Sequence, residues 1–161
     1  MYKILNEEAH VPRISIVTVA YNSAATIRQT IESILGQTRP AYEYIIVDGA
    51  SADGTADIAR SYRMAFAQKG ILYTVISEPD RGIYDAMNKG IALTQGDLVG
   101  LLNSDDWYEP YALEKVAQAY AQAPFDLFWA DLRIHKSAGT FLKRARLTRI
   151  ATTRYWNHPT T

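Results

Sequence analysis

Residues 71–110, ILYTVISEPDRGIYDAMNKGIALTQGDLVGLLNSDDWYEP, contain two short apolar runs with a helix-like segment between them. The runs, at 71–77 and 98–103, are continuous and favour strands that are buried on both faces. Met87 and Ile91 lie between the runs at helical spacing. A strand, a helix and a second strand in this order predict two parallel strands joined by a right-handed crossover.

The same alternation extends over most of the chain. Further apolar runs occur at 14–20, 44–48 and 125–131. Helical spacing recurs at Ile27, Ile31, Ile34 and Leu35, at Ile58, Tyr62 and Phe66, and at Leu113, Val116 and Tyr120. The pattern predicts an α/β fold, with a mostly parallel sheet flanked by helices on both faces. Residues 132–147 predict a short C-terminal hairpin that turns at 137–139.

The size and composition of the chain exclude several function classes. With 161 residues and 48% hydrophobic content, we expect one globular domain over 1–161. The absence of cysteine excludes disulfides, thiolate metal sites and cysteine nucleophiles, and it suits a reducing compartment. The N-terminus lacks the pattern of a signal peptide, and no stretch approaches the roughly 20 apolar residues of a membrane-spanning helix. We therefore expect a cytoplasmic protein that does not cross a bilayer.

Charge is distributed unevenly along the chain, although the net charge is zero. Residues 1–131 carry 10 lysines and arginines and all 17 acids, whereas residues 132–161 carry seven basic residues and no acid. The basic segment 133–154 could face anionic lipid at the inner face of the membrane, a diphosphate or an acidic surface of the same protein. It could equally be a solvated face or an edge hairpin protected by its charges. Nucleic acid is disfavoured as a partner, because aromatic and basic residues do not interleave.

Polar side chains cluster at the ends of the predicted strands. In open parallel sheets, ligands bind beyond the carboxyl ends of the strands, so we expect these side chains to meet at one rim of the sheet. The rim residues are Thr18, Tyr21, Asn22, Asp48, Asp80, Arg81, Asn103, Asp105 and Asp106. Carboxylates that converge repel one another unless a cation lies among them, and magnesium or manganese with phosphate oxygens is the natural candidate.

The rim acids have competing interpretations. We expect Asp105 to bind the metal directly, whereas Asp106 could support the metal or cap the following helix. For Asp53 a capping role is favoured. Asp48 ends an apolar strand and could accept hydrogen bonds from a base or a ribose, although a turn-forming role is the alternative.

Basic residues near the rim could balance a diphosphate. Arg81 and Lys89 are the only cations among residues 78–108, and Lys89 could instead be a solvated helix position. AYNSAAT, rather than a glycine-rich dinucleotide or phosphate loop, follows the first strand. This argues against nicotinamide-dependent dehydrogenases and loop-type kinases.

Four segments together resemble the family-two glycosyltransferases of the GT-A fold, and the resemblance is strongest over 13–131. They are ISIVTVAYNSAATIRQTIESILGQT (14–38), EYIIVDGASADGTADIA (43–59), SEPDRGIYDAMNKGIALTQGDLVGLLNSDDWY (77–108) and a weaker NHPTT (157–161). The resemblance implies inverting transfer of a sugar, expected to be a hexose, from a nucleotide donor, for which UDP is favoured. The implied acceptor is a polysaccharide or lipid-linked glycan of the cell envelope.

The resemblance also implies residue roles. Asn103, Ser104 and Asp105 occupy the place of the family's Asp-x-Asp motif, and Asn103 departs from it, which leaves Asp105 as the main charged ligand of a divalent cation, with Asp106 beside it. The general base is expected beyond Thr161, so the chain resembles a truncated transferase. The implied donor-binding residues are Thr18, Ala20, Tyr21, Asn22, Asp48, Asp80, Arg81, Lys89, Asn103 and Ser104.

Two other function classes remain open from the sequence. A non-catalytic module that binds nucleotide sugars is consistent with the absence of any acid after Asp131. A metal-dependent phosphotransfer or nucleotidyl-transfer enzyme could use a similar sheet, but it would usually have a phosphate-binding loop after the first strand.

Overall fold

The structure is a computed structural model, and it describes residues 11–123, 126–128, 130–136 and 139–143. The chain divides into two compact units, Met1–Pro124 and Phe125–Thr161. The single domain expected over 1–161 stays a prediction. Among the described residues, no helix is long and apolar enough to cross a membrane.

The first unit alternates strands and helices in the predicted order. Its four strands form one parallel sheet with the order β3-β2-β1-β4. The helix predicted around Tyr62 is two helices, α2 and α3, which meet at that residue. The elements are β1 (Ile14–Ala20), α1 (Ile27–Leu35), β2 (Glu43–Asp48), α2 (Thr55–Ser61), α3 (Arg63–Gln68), β3 (Leu72–Ser77), α4 (Ile83–Ala92), β4 (Leu98–Asn103) and α5 (Ala112–Gln122).

Helices lie on both faces of this sheet, and the two central strands are buried on both faces as their apolar runs predicted. The same prediction is wrong for the edge strands β3 and β4, which are only partly buried because each has a neighbouring strand on one side alone. Every residue of β1 and β2 is buried, because side chains that alternate along a strand enter the core on both sides. One face packs against α1, α2, α3 and α5, through residues that include Ile16, Ile46, Ile31, Phe66 and Leu113. The opposite face packs against α4, through Val17, Val19, Ile45, Val47 and Ala86.

Helix α4 lies unusually close to the sheet. A Cβ atom on Gly90 would overlap the Cγ1 of Val17 in β1 and would lie 3.3 Å from the Cγ2 of Val47 in β2. Gly90 therefore permits an approach that no other residue would allow. The N-terminus of α4 is held at the carboxyl ends of the strands as a result.

The second unit contains the predicted hairpin. Strands β5 (Leu132–Lys136) and β6 (Gly139–Lys143) pair antiparallel, with Ile134 opposite Phe141. The turn residues 137 and 138 lie outside the described residues, as does the segment 157–161.

The strand predicted at 125–131 is wrong. Residues 126–128, 130 and 131 have no regular structure, and the side chains of Leu127 and Phe128 are 62% and 39% exposed. The run has the composition of a buried strand, but a strand also needs a neighbour to take its backbone hydrogen bonds. None of the described residues of this run belongs to a strand of either sheet.

Candidate functional site

A pocket of about 860 Å³ opens at the carboxyl ends of the strands in the first unit. Its volume is within the range of small-molecule binding sites. The loops after β1, β2, β3 and β4 contribute to it, together with the first turn of α4. The lining residues are Val19, Ala20, Tyr21, Asn22, Ser23, Ala25, Thr26, Gly49, Pro79, Asp80, Gly82, Ile83, Ala86, Asn103, Ser104 and Asp105.

Seven residues singled out from the sequence meet in this pocket. They are Ala20, Tyr21, Asn22, Asp80, Asn103, Ser104 and Asp105. Tyr21 is 69% exposed, so its ring forms an open wall. The carboxylate of Asp80 accepts a hydrogen bond from the backbone N–H of Gly82 at 2.8 Å, and its other oxygen lies against Gly49. Asp80 therefore joins the loop after β2 to the start of α4.

Asp48 and Thr18 are completely buried and do not line the pocket. One carboxylate oxygen of Asp48 accepts hydrogen bonds from the Ser77 hydroxyl at 2.6 Å and the Ser51 N–H at 3.0 Å, and the other accepts from the Ser51 hydroxyl. The Thr18 hydroxyl accepts a hydrogen bond from Tyr44 at 3.0 Å, and burial raises the pKa of that phenol. In this arrangement both side chains are engaged within the protein.

Arg81 and Lys89 also lie outside the pocket lining, and both cations are paired with acids. Arg81 contacts Asp85 at 2.9 Å, and hydrogen bonds from Arg81 lower the pKa of the Asp85 carboxyl. Lys89 contacts Glu78 at 2.8 Å and lies 3.7 Å from Asp85, and Glu78 raises the pKa of its ammonium. A ligand diphosphate would have to compete with these carboxylates for either cation.

The loop after β4 carries the acids expected to bind a metal. Asp105 is exposed and lines the pocket, whereas Asp106 does not line it. Partial burial and the neighbouring charge of Asp105 raise the pKa of the Asp106 carboxyl. Asp106 does not cap α5, because that helix begins six residues later at Ala112.

Asp53 does not occupy the N-cap position expected for it, because the N-cap residue of α2 is Gly54, but its carboxylate lies against the start of that helix. Its carboxylate accepts a hydrogen bond from the N–H of Thr55, the first residue of α2, at 3.0 Å. The second oxygen accepts from the N–H of Ala24 at 2.9 Å. Asp53 therefore also holds the loop after β1.

The acids at the pocket do not form a complete protein cage for a metal, but they fit a site in which one or two carboxylates and a ligand share the metal. Within the described ranges, no three histidines, aspartates or glutamates lie together as a complete metal-binding cage. Magnesium and manganese, however, are commonly held by one or two carboxylates and by the phosphates of a ligand. Asp105, with Asp106 adjacent to it, supplies that smaller donor set.

The loops after β1 and β2 are joined by hydrogen bonds that the sequence did not predict. The N–H of Asn22 donates to the Ser51 hydroxyl at 2.8 Å, and the N–H of Ala52 donates to the Asn22 side chain at 3.1 Å. Asn22 and Ala50 both have positive φ angles, of 49° and 58°. For Asn22 this backbone conformation is common, and for alanine it is strained.

Several pocket residues were not predicted from the sequence. Gly82, Ile83 and Ala86 belong to the start of α4, and the signal for them was the Asp80–Arg81–Gly82 turn that precedes an apolar helix. Ser23 had no signal. Its hydroxyl lies 2.8 Å from that of Ser104, which is 81 residues away in the chain.

Comparison with known families gives one assignment over nearly the whole chain. The model described as "Glycosyl transferase family 2" matches residues 15–161. A Bacillus subtilis (strain 168) protein, TuaG, whose name assigns it to teichuronic acid biosynthesis, is 38% identical over 104 residues, 65% of this chain and 40% of its own. A "PGL/p-HBAD biosynthesis glycosyltransferase" of Mycobacterium tuberculosis (strain ATCC 25177 / H37Ra) is 35% identical over 123 residues, 75% of this chain and 47% of its own.

Solved structures share the fold. A mannosyltransferase, PcManGT from Pyrobaculum calidifontis, in complex with GDP-Man and Mn²⁺, superposes with a TM-score of 0.58 and is 28% identical. The match covers 70% of this chain and 32% of that one. S. aureus TarS 1–349, in complex with UDP-GlcNAc, superposes with a TM-score of 0.61 at 23% identity over 68% of this chain and 31% of its own. The chain thus spans less than half the length of the curated relatives named above.

Proposed function

Because this chain belongs to glycosyl transferase family 2, we propose that it forms the nucleotide-sugar donor site of an inverting glycosyltransferase. The donor is a UDP-sugar, expected to carry a hexose, and the acceptor is a polysaccharide or lipid-linked glycan of the cell envelope. The names of the relatives in teichuronic acid and PGL/p-HBAD biosynthesis support the envelope role. The UDP-GlcNAc bound to TarS and the GDP-Man bound to PcManGT support a nucleotide-sugar donor.

The observation that carries this proposal is the pocket that joins Tyr21 to Asp105. Tyr21, Ala20 and Asn22 form one wall, where a planar base and its ribose can lie. Asn103 and Asp105 are the polar groups of another part of the lining, where the diphosphate and a divalent cation can lie. The first turn of α4 adds backbone N–H groups, which favour negative charge.

The predicted cation is Mn²⁺ or Mg²⁺, held by Asp105 with help from Asp106. The Mn²⁺ in the PcManGT complex supports this choice. When bound, such a cation would neutralise the charge that develops on the leaving nucleoside diphosphate. Asn103 can donate or accept a hydrogen bond there, but it adds no charge.

The other predicted donor-binding residues have less direct parts in the proposal. Asp48 would act by holding the loop after β2 through Ser51, and Thr18 by its hydrogen bond with Tyr44 in the core beneath the pocket, unless the ligand displaces these hydrogen bonds. Arg81 and Lys89 would meet a diphosphate only by leaving Asp85 and Glu78.

A non-catalytic nucleotide-sugar module is the second candidate. It needs only the donor pocket at the carboxyl ends of the strands, which the described residues form. Both candidates need the same donor pocket, so the first experiment addresses the pocket. Sugar transfer to an acceptor by the full-length protein would then separate them.

Calorimetric titration with UDP in the presence of manganese tests the donor site. We expect saturable binding that EDTA weakens, and we expect Asp105→Ala to weaken manganese-supported binding by about tenfold or more, since it removes a direct metal ligand. Asp126→Ala, at an exposed position outside the pocket lining, is the matched control. A folded chain that binds neither UDP nor GDP would contradict the proposal.

A further inference from the structure

Ser23, in the loop after β1, makes hydrogen bonds within its own loop, to the start of α2 and to the loop after β4. Its N–H donates to the Thr55 hydroxyl at the start of α2, at 2.8 Å. Its hydroxyl lies 2.8 Å from the Ser104 hydroxyl and 3.2 Å from the carbonyl oxygen of Tyr21. Ser23 is therefore the point at which the loops after β1, β2 and β4 meet.

In the hydrogen bond between Ser23 and Ser104, the Ser104 side chain is buried. Ser104 is only 8% exposed, while its neighbours Asn103 and Asp105 are more open to the pocket. A buried hydroxyl without a partner is costly, so the Ser23 hydroxyl favours one position of the loop after β4. Any displacement of Asp105 that moves Ser104 also changes this hydrogen bond.

The Tyr21 end lies next to the open wall of the pocket. A serine hydroxyl has one hydrogen to donate, so Ser23 can donate to the Tyr21 carbonyl while it accepts from Ser104. The alternative is that Ser23 donates to Ser104, which frees the Ser104 hydrogen for another acceptor. Which of the two hydroxyls donates in the Ser23–Ser104 hydrogen bond thus depends on whether Ser23 donates to the Tyr21 carbonyl. The hydrogen bond therefore links the backbone at Tyr21 to the loop that carries Asp105.

We propose that Ser23 is a positioning residue that couples divalent-cation binding at Asp105 to nucleoside diphosphate binding along Tyr21. The inference rests on the proposed donor site and adds a residue to it. Ser23 does not bind the metal. It holds the two halves of the pocket in the geometry in which one ligand supports the other, and such support is reciprocal between the two ligands.

The test is the ratio of the UDP dissociation constant in EDTA to that in manganese. Calorimetry gives this ratio for the wild type and for Ser23→Ala, and thermal unfolding without metal reports the stability of each. We expect Ser23→Ala to reduce the ratio by about 3- to 10-fold, which corresponds to the loss of one hydrogen bond. Ser23→Thr, which retains a hydroxyl, should keep the ratio close to that of the wild type.

Two further variants separate coupling from general destabilisation. Ser61→Ala removes a hydroxyl that donates to the Ile58 carbonyl within α2, and it should leave the ratio unchanged. Ser104→Ala removes the other half of the pair, so it should reduce the ratio as Ser23→Ala does, and the double variant should reduce it no further. Ser104→Ala also provides the measurement if Ser23→Ala fails to fold.

The outcomes distinguish this inference from the proposed function. Metal-dependent UDP binding by the wild type, with an unchanged ratio in Ser23→Ala, would overturn the role of Ser23 and leave the donor site intact. Additive losses in the double variant, or an equal loss in Ser23→Thr, would also overturn it. The absence of UDP and GDP binding by the folded wild type would overturn both proposals together.

Discussion

The position of Asp48 at the end of a strand was predicted from the sequence, but its burial and its hydrogen-bond partners were not. Its position at the end of β2 was expected to expose an acceptor to the ligand. The structure instead buries the carboxylate and gives it hydrogen bonds from Ser51 and Ser77. Ser51 also accepts from Asn22, so Asp48 supports the loop after β1 through one intermediate residue.

Asp48→Asn should therefore lower the stability of the fold. The amide nitrogen of asparagine cannot accept the hydrogen bonds that the replaced oxygen accepts, and we expect the free energy of unfolding to fall by about 1–3 kcal/mol. Urea unfolding measures the change. Ser77→Ala, which removes one of the donors, should cost about 1 kcal/mol. An unchanged urea midpoint in Asp48→Asn would show that the carboxylate is not held as described.

Helix α4 is the element whose placement decides the shape of the pocket. Its start contributes Gly82, Ile83 and Ala86 to the lining, and its last turn approaches β1 at Gly90. The helix cannot move away from the sheet without moving that wall of the pocket. A substitution at Gly90, in the last turn of α4, is thus expected to affect a site that lies two turns away.

Gly90→Ala should be destabilising although alanine favours helices. Overpacking against Val17 costs about 1–3 kcal/mol, and the better helix propensity of alanine offsets up to about 1 kcal/mol. We expect a net loss of about 1–2 kcal/mol in urea unfolding, together with weaker UDP binding. Asn88→Ala, on the exposed side of α4, is the control. Stability equal to or above that of the wild type would contradict the close contact with β1.

The elements were more predictable than their contacts. The apolar runs at 14–20 and 98–103 predicted β1 and β4 at their observed bounds. Strand β1 is buried on both faces as expected. Strand β4 is an edge strand in which Val99 and Leu101 are 42% and 45% exposed, so the burial on both faces predicted for it is wrong. The run at 125–131 has the same composition, but none of its described residues belongs to a strand. Composition reports what a strand can bury, and it does not report what the strand pairs with.

The pocket residues that directly follow strands could be predicted from the sequence, because the ends of the strands could. Tyr21, Asp80 and Asp105 follow three different strands, and the parallel arrangement brings them to one rim. Ser23 and Ser104 could not be paired in advance, since both are small polar residues in loops and their contact depends on how two distant loops pack. The internal hydrogen bonds of Asp48 were unpredictable for the same reason.

The whole chain has opposite charges in its two parts. All 17 acids lie in residues 1–131, and seven basic residues without an acid lie in 132–161. The described part of the basic segment includes the β5–β6 hairpin, in which Phe141 and Leu142 are more than half exposed. Apolar side chains beside basic ones suit the surface of an anionic membrane. We propose that the protein is cytoplasmic and that this segment contacts the inner face of the membrane.

Sedimentation with lipid vesicles tests this surface. We expect the chain to bind vesicles that contain phosphatidylglycerol at low salt and to dissociate at high salt, since each lysine or arginine near the surface contributes about 1 kcal/mol. Lys143→Glu should weaken binding. Neutral phosphatidylcholine vesicles are the control, and equal binding to both lipids would contradict an electrostatic contribution.

Strand β1 has a consequence for the dynamics of the pocket. All seven of its residues are buried, and it is hydrogen-bonded to β2 on one side and β4 on the other. Amide hydrogens in such a strand exchange with heavy water only when the whole unit unfolds, whereas loop amides exchange through local opening. The boundary between these two regimes falls at Tyr21. The wall of the pocket formed by Tyr21 is thus joined directly to the part of the backbone that we expect to exchange most slowly.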